Sequence, residues 1–176
     1  MVRADYLLER EVELVLAALT PQNCLAMRTA LYTGLRIGDV LQLKTSQLKP
    51  QFWITEQKTG KRRRVNLPKL LLNDLLENAG AVWVFEGRTP EKHRSRQAVW
   101  KDVKRAARAF RLPVNATPHS ARKVFAAELY ESCGDLDRVR RALNHDSEIT
   151  TLIYAMADKQ RLASQKRQAD KKSKRC

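Results

Sequence analysis

The spacing of apolar residues divides the chain into a series of helices and one pair of short strands. Residues 9–19 carry apolar side chains at helical spacing, with Val12, Val15, Leu16 and Leu19 on one stripe. The same criterion predicts further helices over residues 21–33, 68–80, 95–110, 118–133 and 135–143, with two more at 150–154 and from 157 onwards. The pattern therefore predicts a mainly helical chain.

Residues that favour helix ends support these bounds. Thr117 is a suitable N-cap, and Pro118 follows it at the first helical position, where proline is tolerated. Gly34 and Gly134 each follow a helical pattern, and glycine readily adopts the left-handed conformation that ends a helix. Asp135 is the predicted cap of the short helix before Leu143.

Two short stretches carry the signal of an antiparallel hairpin. Residues 52–57 and 63–67 are rich in strand-forming residues, and a polar link containing Gly60 joins them. Residues 82–85 form a brief apolar strand or a buried link. Trp53 and Trp100 are expected to be core anchors, because large aromatic side chains dominate protein cores. The predicted fold class is mainly α with a small antiparallel β-sheet (α+β).

Charge narrows the possible partners. The 176 residues contain 34 Lys and Arg against 19 Asp and Glu, a net charge of +15, which favours a polyanion such as nucleic acid or an acidic membrane surface. A membrane span needs about 20 consecutive apolar residues, and the sequence contains no such run. The first residues lack the apolar centre of a signal peptide, so we expect a cytoplasmic protein without membrane contact.

The basic residues are concentrated at the C-terminus. Residues 159–175 contain eight basic residues and one acid, which leaves a net charge of +8 on the remaining chain. We therefore expect one domain, residues 1–158, followed by a basic C-terminal helix or tail, residues 159–176, that we expect to be partly disordered. The three cysteines are widely spaced and indicate neither a disulfide framework nor a structural zinc site.

Five residues along the chain could together bind and attack a phosphodiester. They are Arg36, His119, Arg122, His145 and Tyr154. Two guanidinium groups can hold non-bridging oxygens and stabilise a pentacoordinate phosphorus without a metal. His119 and Arg122 share one helix face because they are three residues apart. A tyrosine, with a pKa of about 10, needs such a positive site or a nearby base to act as a nucleophile.

The order of these residues resembles the catalytic domain of the tyrosine recombinases, the phage integrase family. That family has an arginine in a Thr-Gly-Leu-Arg turn with an acidic residue three positions later, which Arg36 and Asp39 match. Its hairpin lysine corresponds to Lys58, although Lys61 flanks the same turn and remains an alternative. The family's later motifs, His-x-x-Arg, Leu-Gly-His and a tyrosine nine residues on, are matched by His119, Arg122, His145 and Tyr154, with Asn144 in place of the glycine.

This resemblance implies a site-specific DNA recombinase that forms a covalent 3′-phosphotyrosine and needs no metal, ATP or other cofactor. It implies that Tyr154 is the nucleophile, Lys58 the general acid, and His119 a general base or proton relay. Arg36, Arg122 and His145 would bind the phosphate, and Asp39 would orient Arg36 or its loop. Further DNA contacts are expected from basic residues on and beyond the hairpin: Lys61, Arg62, Arg63, Arg64, Arg96 and Lys101.

The resemblance also implies partners: double-stranded DNA, a homo-oligomer on DNA such as a dimer of dimers, and accessory DNA-bending proteins. No N-terminal core-binding domain is expected, so the chain is either a single-domain member, as in the bacterial fimbrial-switch invertases, or a truncated catalytic domain. Two alternatives stay open, a type IB topoisomerase and a non-catalytic DNA-binding protein on the same scaffold. A metal-dependent nuclease is disfavoured because the three histidines show no ligand spacing.

Overall fold

The computed structural model describes residues 4–143, and it confirms a mainly helical fold with one small antiparallel sheet. Seven α-helices, a short 3₁₀ turn (Thr45–Gln47) and two strands make up this part. In chain order they are α1 (Glu9–Ala18), α2 (Pro21–Thr33), α3 (Ile37–Leu41), β1 (Gln51–Thr55), β2 (Arg62–Asn66), α4 (Lys69–Asn78), α5 (Arg96–Ala109), α6 (Pro118–Cys133) and α7 (Leu136–Leu143). The helices predicted at 150–154 and from 157 onwards lie outside the described residues.

The predicted helix ends are confirmed by their cap geometry. Gly34 and Gly134 both have φ of 64°, the left-handed conformation that ends α2 and α6. At the start of α6, the Thr117 hydroxyl accepts a hydrogen bond from the backbone of His119 at 3.2 Å. The Ser120 hydroxyl accepts one from the Thr117 backbone, also at 3.2 Å, so cap and first turn are fixed reciprocally.

The core lies between the helices and one face of the hairpin. Helix α2 packs against α6, and α1 packs against α5. Buried leucines and valines from α4 and α5, such as Leu75 and Val103, complete the core. Residues 82–85 form a link with one bridge between Lys44 and Trp83 and no strand, so of the two predicted alternatives the structure has the link. Val84 and Phe85 of this link are buried, whereas Val82 is exposed. Within residues 4–143, no helix is long and apolar enough to cross a membrane.

The two tryptophans correct the sequence-based expectation, because neither is a core anchor. Trp53 is 56% exposed and Trp100 is 46% exposed. The inward positions of β1 are taken by Phe52 and Ile54, and strand alternation therefore places Trp53 on the opposite, solvent-facing side. There the guanidinium of Arg62 lies over its ring at 5.4 Å, a cation–π contact.

Candidate active site

Arg36 is positioned by the tight connection between α2 and α3. The left-handed Gly34 ends α2, and Arg36 is the residue immediately before the first turn of α3. A glycine is required in this turn, since a Cβ at Gly34 would overlap the ring of Phe125 from α6. The connection therefore brings the arginine close to the helix that carries the His-x-x-Arg pair.

Two buried carboxylates hold Arg36 and the hairpin together. The Arg36 Nη1 lies 2.6 Å from the Glu56 Oε2, and the Asp39 Oδ1 accepts the backbone N–H of Gln57 at 3.0 Å. Burial raises the pKa of Asp39, and the negative charge of Glu56 adds to this, while the Gln57 hydrogen bond and the charge of Arg36 oppose it. Asp39 therefore anchors the hairpin to α3 through the backbone of Gln57.

Lys58 lies in the hairpin turn beside Arg36. Together with Arg36 and Arg96, the first residue of α5, it lines a recess of about 280 Å³. Lys61, which comes directly before β2, is not among the described residues that line this recess. The geometry thus favours Lys58 over Lys61 as the lysine next to Arg36.

Arg122 is buried on the inner side of α6, with 2% of its surface exposed. Its guanidinium donates to the carbonyl oxygen of Gly34 and, at 2.5 Å, to that of Leu143, the last residue of α7. These two bonds orient the guanidinium between the α2–α3 connection and the end of α7. The chain continues from Leu143 directly into the segment that contains His145 and Tyr154.

His119 is surrounded by positive charge. Desolvation by the surrounding protein, together with the charges of Arg122, Lys123, Arg36 and Lys58, lowers its pKa to about 4. The residue nevertheless keeps solvent-accessible surface, so solvent partly screens these charges. The imidazole is therefore neutral at pH 7 and able to accept a proton.

The fold brings four of the predicted residues close together. Arg36 and Lys58 line one recess, and Arg122 donates to the carbonyl oxygen of Gly34, two residues before Arg36. The charges of these three residues act on His119. His145 and Tyr154 lie outside the described residues, and their roles stay predictions. Within residues 4–143, no group of three or more His, Cys, Asp or Glu side chains is arranged to hold a metal ion.

The residues expected to contact DNA occupy three different places. Lys61, Arg62 and Arg64 are exposed on the hairpin. Arg63 points inward, with 11% of its side chain exposed, and donates to the carbonyl oxygen of Thr33, an arrangement that favours a structural role. The other two are exposed on α5, where Arg96 lines the Arg36 recess and Lys101 a separate recess of about 530 Å³.

Two charged residues near the site were not singled out from the sequence. Glu56 is fully buried against Arg36. The sequence carried a signal for this burial, because Phe52, Ile54 and Glu56 alternate along one face of the strand. Lys123 is buried next to Arg122, and its charge acts on His119. A lysine within a helical pattern is usually exposed, so the sequence carried no signal for its burial.

Comparison with known proteins gives the family of the chain. A family model described as the phage integrase family matches residues 5–161. The chain belongs to the phage integrase family. The predicted resemblance is thereby confirmed. Among curated relatives, the family member "Probable integrase/recombinase YoeC" of Bacillus subtilis (strain 168) is 31% identical over 132 residues, covering 72% of each chain.

Longer relatives and solved structures extend this comparison. The tyrosine recombinase XerD of Listeria innocua is 34% identical over 152 residues, and the match covers 78% of this chain and 51% of that protein. The XerH site-specific recombinase bound to palindromic difH substrate superposes with a TM-score of 0.71 at 26% identity, over 90% of this chain and 51% of XerH. A lambda integrase dimer bound to a COC′ core site has the same fold, with a TM-score of 0.71 at 24% identity, over 84% and 60%. This phage integrase family chain thus spans about half the length of several of its relatives.

Proposed function

We propose that this chain is the catalytic domain of a site-specific recombinase that cleaves and rejoins double-stranded DNA through a 3′-phosphotyrosine at Tyr154. The observation that carries the proposal is the convergence of Arg36, Lys58 and Arg122 on a neutral His119. Three cations around one proton acceptor suit the transfer of an anionic phosphate, in which the attacking hydroxyl loses a proton and the leaving oxygen gains one. Family membership and the +15 net charge support DNA as that substrate.

In this mechanism, the arginines stabilise the phosphate while two other groups move protons. The Tyr154 hydroxyl oxygen attacks phosphorus, and the bond to the 5′-oxygen breaks. His119 accepts the proton of the tyrosine hydroxyl, directly or through a relay, and Lys58 donates a proton to the leaving 5′-oxygen. Arg36 and Arg122 stabilise the negative charge that develops on the non-bridging oxygens.

Rejoining is the reverse of the same step. The 5′-hydroxyl of a second strand attacks the phosphotyrosine and releases Tyr154, so one phosphodiester bond is formed for each one broken. Because the bond energy is kept in the intermediate, neither ATP nor another energy source is required. His145 would donate a hydrogen bond to the phosphate, and no metal ion takes part.

The proposal extends to assembly on DNA. XerH was solved on its difH substrate and lambda integrase as a dimer on a core site. By analogy, we propose that this chain acts as a homo-oligomer on DNA, with a dimer of dimers at synapsis and with accessory DNA-bending proteins at some sites. Arg62, Arg64 and Lys61 on the hairpin, with Arg96 and Lys101 on α5, would bind backbone phosphates.

A covalent-adduct assay tests the proposal. A nicked suicide duplex loses the short 5′-hydroxyl strand after cleavage, which traps the protein on DNA. We expect an EDTA-resistant adduct with the natural protein and none with Tyr154→Phe, whose DNA affinity stays within about twofold. Tyr32→Phe is a matched control, because Tyr32 is exposed on α2. An adduct in Tyr154→Phe, or none in the natural protein on any substrate, would refute the proposal.

A further inference from the structure

Glu56 is a buried carboxylate that contacts Arg36 and the hairpin turn of the candidate active site. Its side chain has no exposed surface. One oxygen, Oε2, lies 2.6 Å from Arg36 Nη1 and accepts a hydrogen bond from the Thr59 hydroxyl at 3.2 Å. The other, Oε1, lies 3.7 Å from Arg63 Nη1. The carboxylate therefore joins two arginines and one residue of the hairpin turn.

The backbone of the same residue closes the turn that carries Lys58. The Glu56 N–H donates to the carbonyl oxygen of Lys61 at 3.1 Å, and its carbonyl oxygen accepts the N–H of Gly60 at 2.8 Å. Gly60 has φ of 66°, the conformation that allows the turn to close there. Glu56 thus fixes the base of the turn with its backbone and Arg36 with its side chain.

A buried charge of this kind holds its partners firmly. Removing a carboxylate from water is unfavourable unless cations and donors replace the lost hydration, so the ion pair with Arg36 resists opening. An arginine side chain left without such a partner would sample several rotamers, and this disorder would have to be removed each time phosphate binds. The contact orders the arginine before the substrate arrives.

Resting on the proposed function, we propose that Glu56 is a positioning residue, which fixes the Arg36 guanidinium and the Lys58 turn relative to each other. Arg36 binds the phosphate and Lys58 protonates the leaving oxygen, so their separation must match the distance between a non-bridging oxygen and the 5′-oxygen. A rigid link between the two serves the cleavage step rather than DNA binding, since neither carboxylate oxygen faces solvent.

This role predicts that binding and cleavage respond differently to substitution. Glu56→Gln keeps the shape of the side chain but removes the charge that holds Arg36. The protein then gains one net positive charge, so its affinity for DNA stays the same or increases. Cleavage slows by on the order of tenfold to a hundredfold, because the arginine is no longer fixed at the distance that the reaction needs.

The experiment compares Glu56→Gln with Glu77→Gln, which makes the same charge change at an exposed position on α4. DNA binding is measured by fluorescence anisotropy at two salt concentrations, and cleavage under single-turnover conditions at saturating DNA on the suicide duplex. We expect a slower cleavage rate in Glu56→Gln and an unchanged rate in Glu77→Gln. Glu56→Asp retains the charge but shortens the reach to Arg36, so we expect it to recover only part of the lost rate.

Two outcomes would overturn the role of Glu56. One is an unchanged cleavage rate in Glu56→Gln, and the other is a parallel loss of binding and cleavage, which a purely structural role would produce. If Glu56→Gln fails to fold, Thr59→Val tests the link between the Glu56 carboxylate and the turn that carries Lys58, because it removes the Thr59 hydrogen bond to Glu56 Oε2. We expect slower cleavage at unchanged DNA affinity in that variant, and an unchanged cleavage rate overturns the proposal. Failure of the natural protein to form any adduct would instead refute the proposed function.

Discussion

His119, the proposed proton acceptor, is expected to stay neutral at pH values well below 6.5, the ordinary pKa of histidine. Desolvation first, and then the charges of Arg122 and its neighbours, lower the pKa of His119 to about 4 from an ordinary value of about 6.5. At pH 5.5, a histidine with the ordinary pKa is neutral in about one molecule in ten, whereas one with a pKa of about 4 is neutral in about 97%. The base should therefore be about tenfold more available at this pH.

Nuclear magnetic resonance measures this pKa directly in the DNA-free protein. The chain has three histidines, and a His119→Asn variant assigns the ring signals of His119. We expect these signals to titrate near pH 4. Lys123→Gln should move the midpoint upward, because the charge of Lys123 is one of the causes of the lowered pKa. A midpoint between pH 6 and 7 in the natural protein would refute this electrostatic account.

The same shift has a consequence for stability with a defined sign. Between pH 6.5 and about 4, unfolded molecules bind a proton at His119 that folded molecules do not, so acidification through this window destabilises the fold. Above about pH 7.5 His119 is unprotonated in both states, so it contributes no pH dependence there. Urea unfolding should show a smaller loss of stability between pH 6.5 and 4.5 in His119→Asn than in the natural protein, and an equal loss would contradict the assignment.

Two further pairs of substitutions separate effects that the sequence alone cannot distinguish. Gly34→Ala places a side chain on a left-handed backbone where it overlaps the Phe125 ring, so it should destabilise the protein by at least about 2 kcal/mol. Gly60→Ala has the same backbone strain but meets open space, so it should cost about 1 kcal/mol. Equal losses of stability in urea unfolding would contradict the role assigned to the Phe125 contact. Arg63→Ala should lower stability by about 1–3 kcal/mol, because it removes a buried donor to the Thr33 carbonyl oxygen. Arg64→Ala should leave stability within about 0.5 kcal/mol and reduce the salt slope of DNA binding by about 1; the reverse pattern would exchange the roles of the two arginines.

Local features of the sequence predict most of the described fold. Helix ends follow from short-range chemistry, as with Thr117 and Pro118 at the start of α6 and Gly34 at the end of α2. The hairpin follows from two strand-like stretches joined by a link with Gly60. The ordered motifs also identify Arg36, Lys58, His119 and Arg122, which the fold brings to one site.

Features that depend on distant contacts could not be predicted in the same way. Trp53 was expected in the core because it is large and aromatic, but strand alternation gives the inner face to Phe52 and Ile54. Arg63 is inward for the same reason, since it shares a face with Val65. The pKa of His119 depends on cations from three separate segments, which are adjacent only in the folded chain.

Determining the chemical identity of the protein–DNA link tests the proposed 3′-phosphotyrosine at Tyr154 directly. The adduct formed in EDTA on a 3′-labelled and a 5′-labelled suicide duplex is digested with protease, and the labelled peptide is identified by mass spectrometry. We expect the peptide to contain Tyr154 joined to a DNA 3′-phosphate and the released strand to carry a 5′-hydroxyl. A link to another residue, a 5′-phosphate link or a strict requirement for a divalent metal would contradict it.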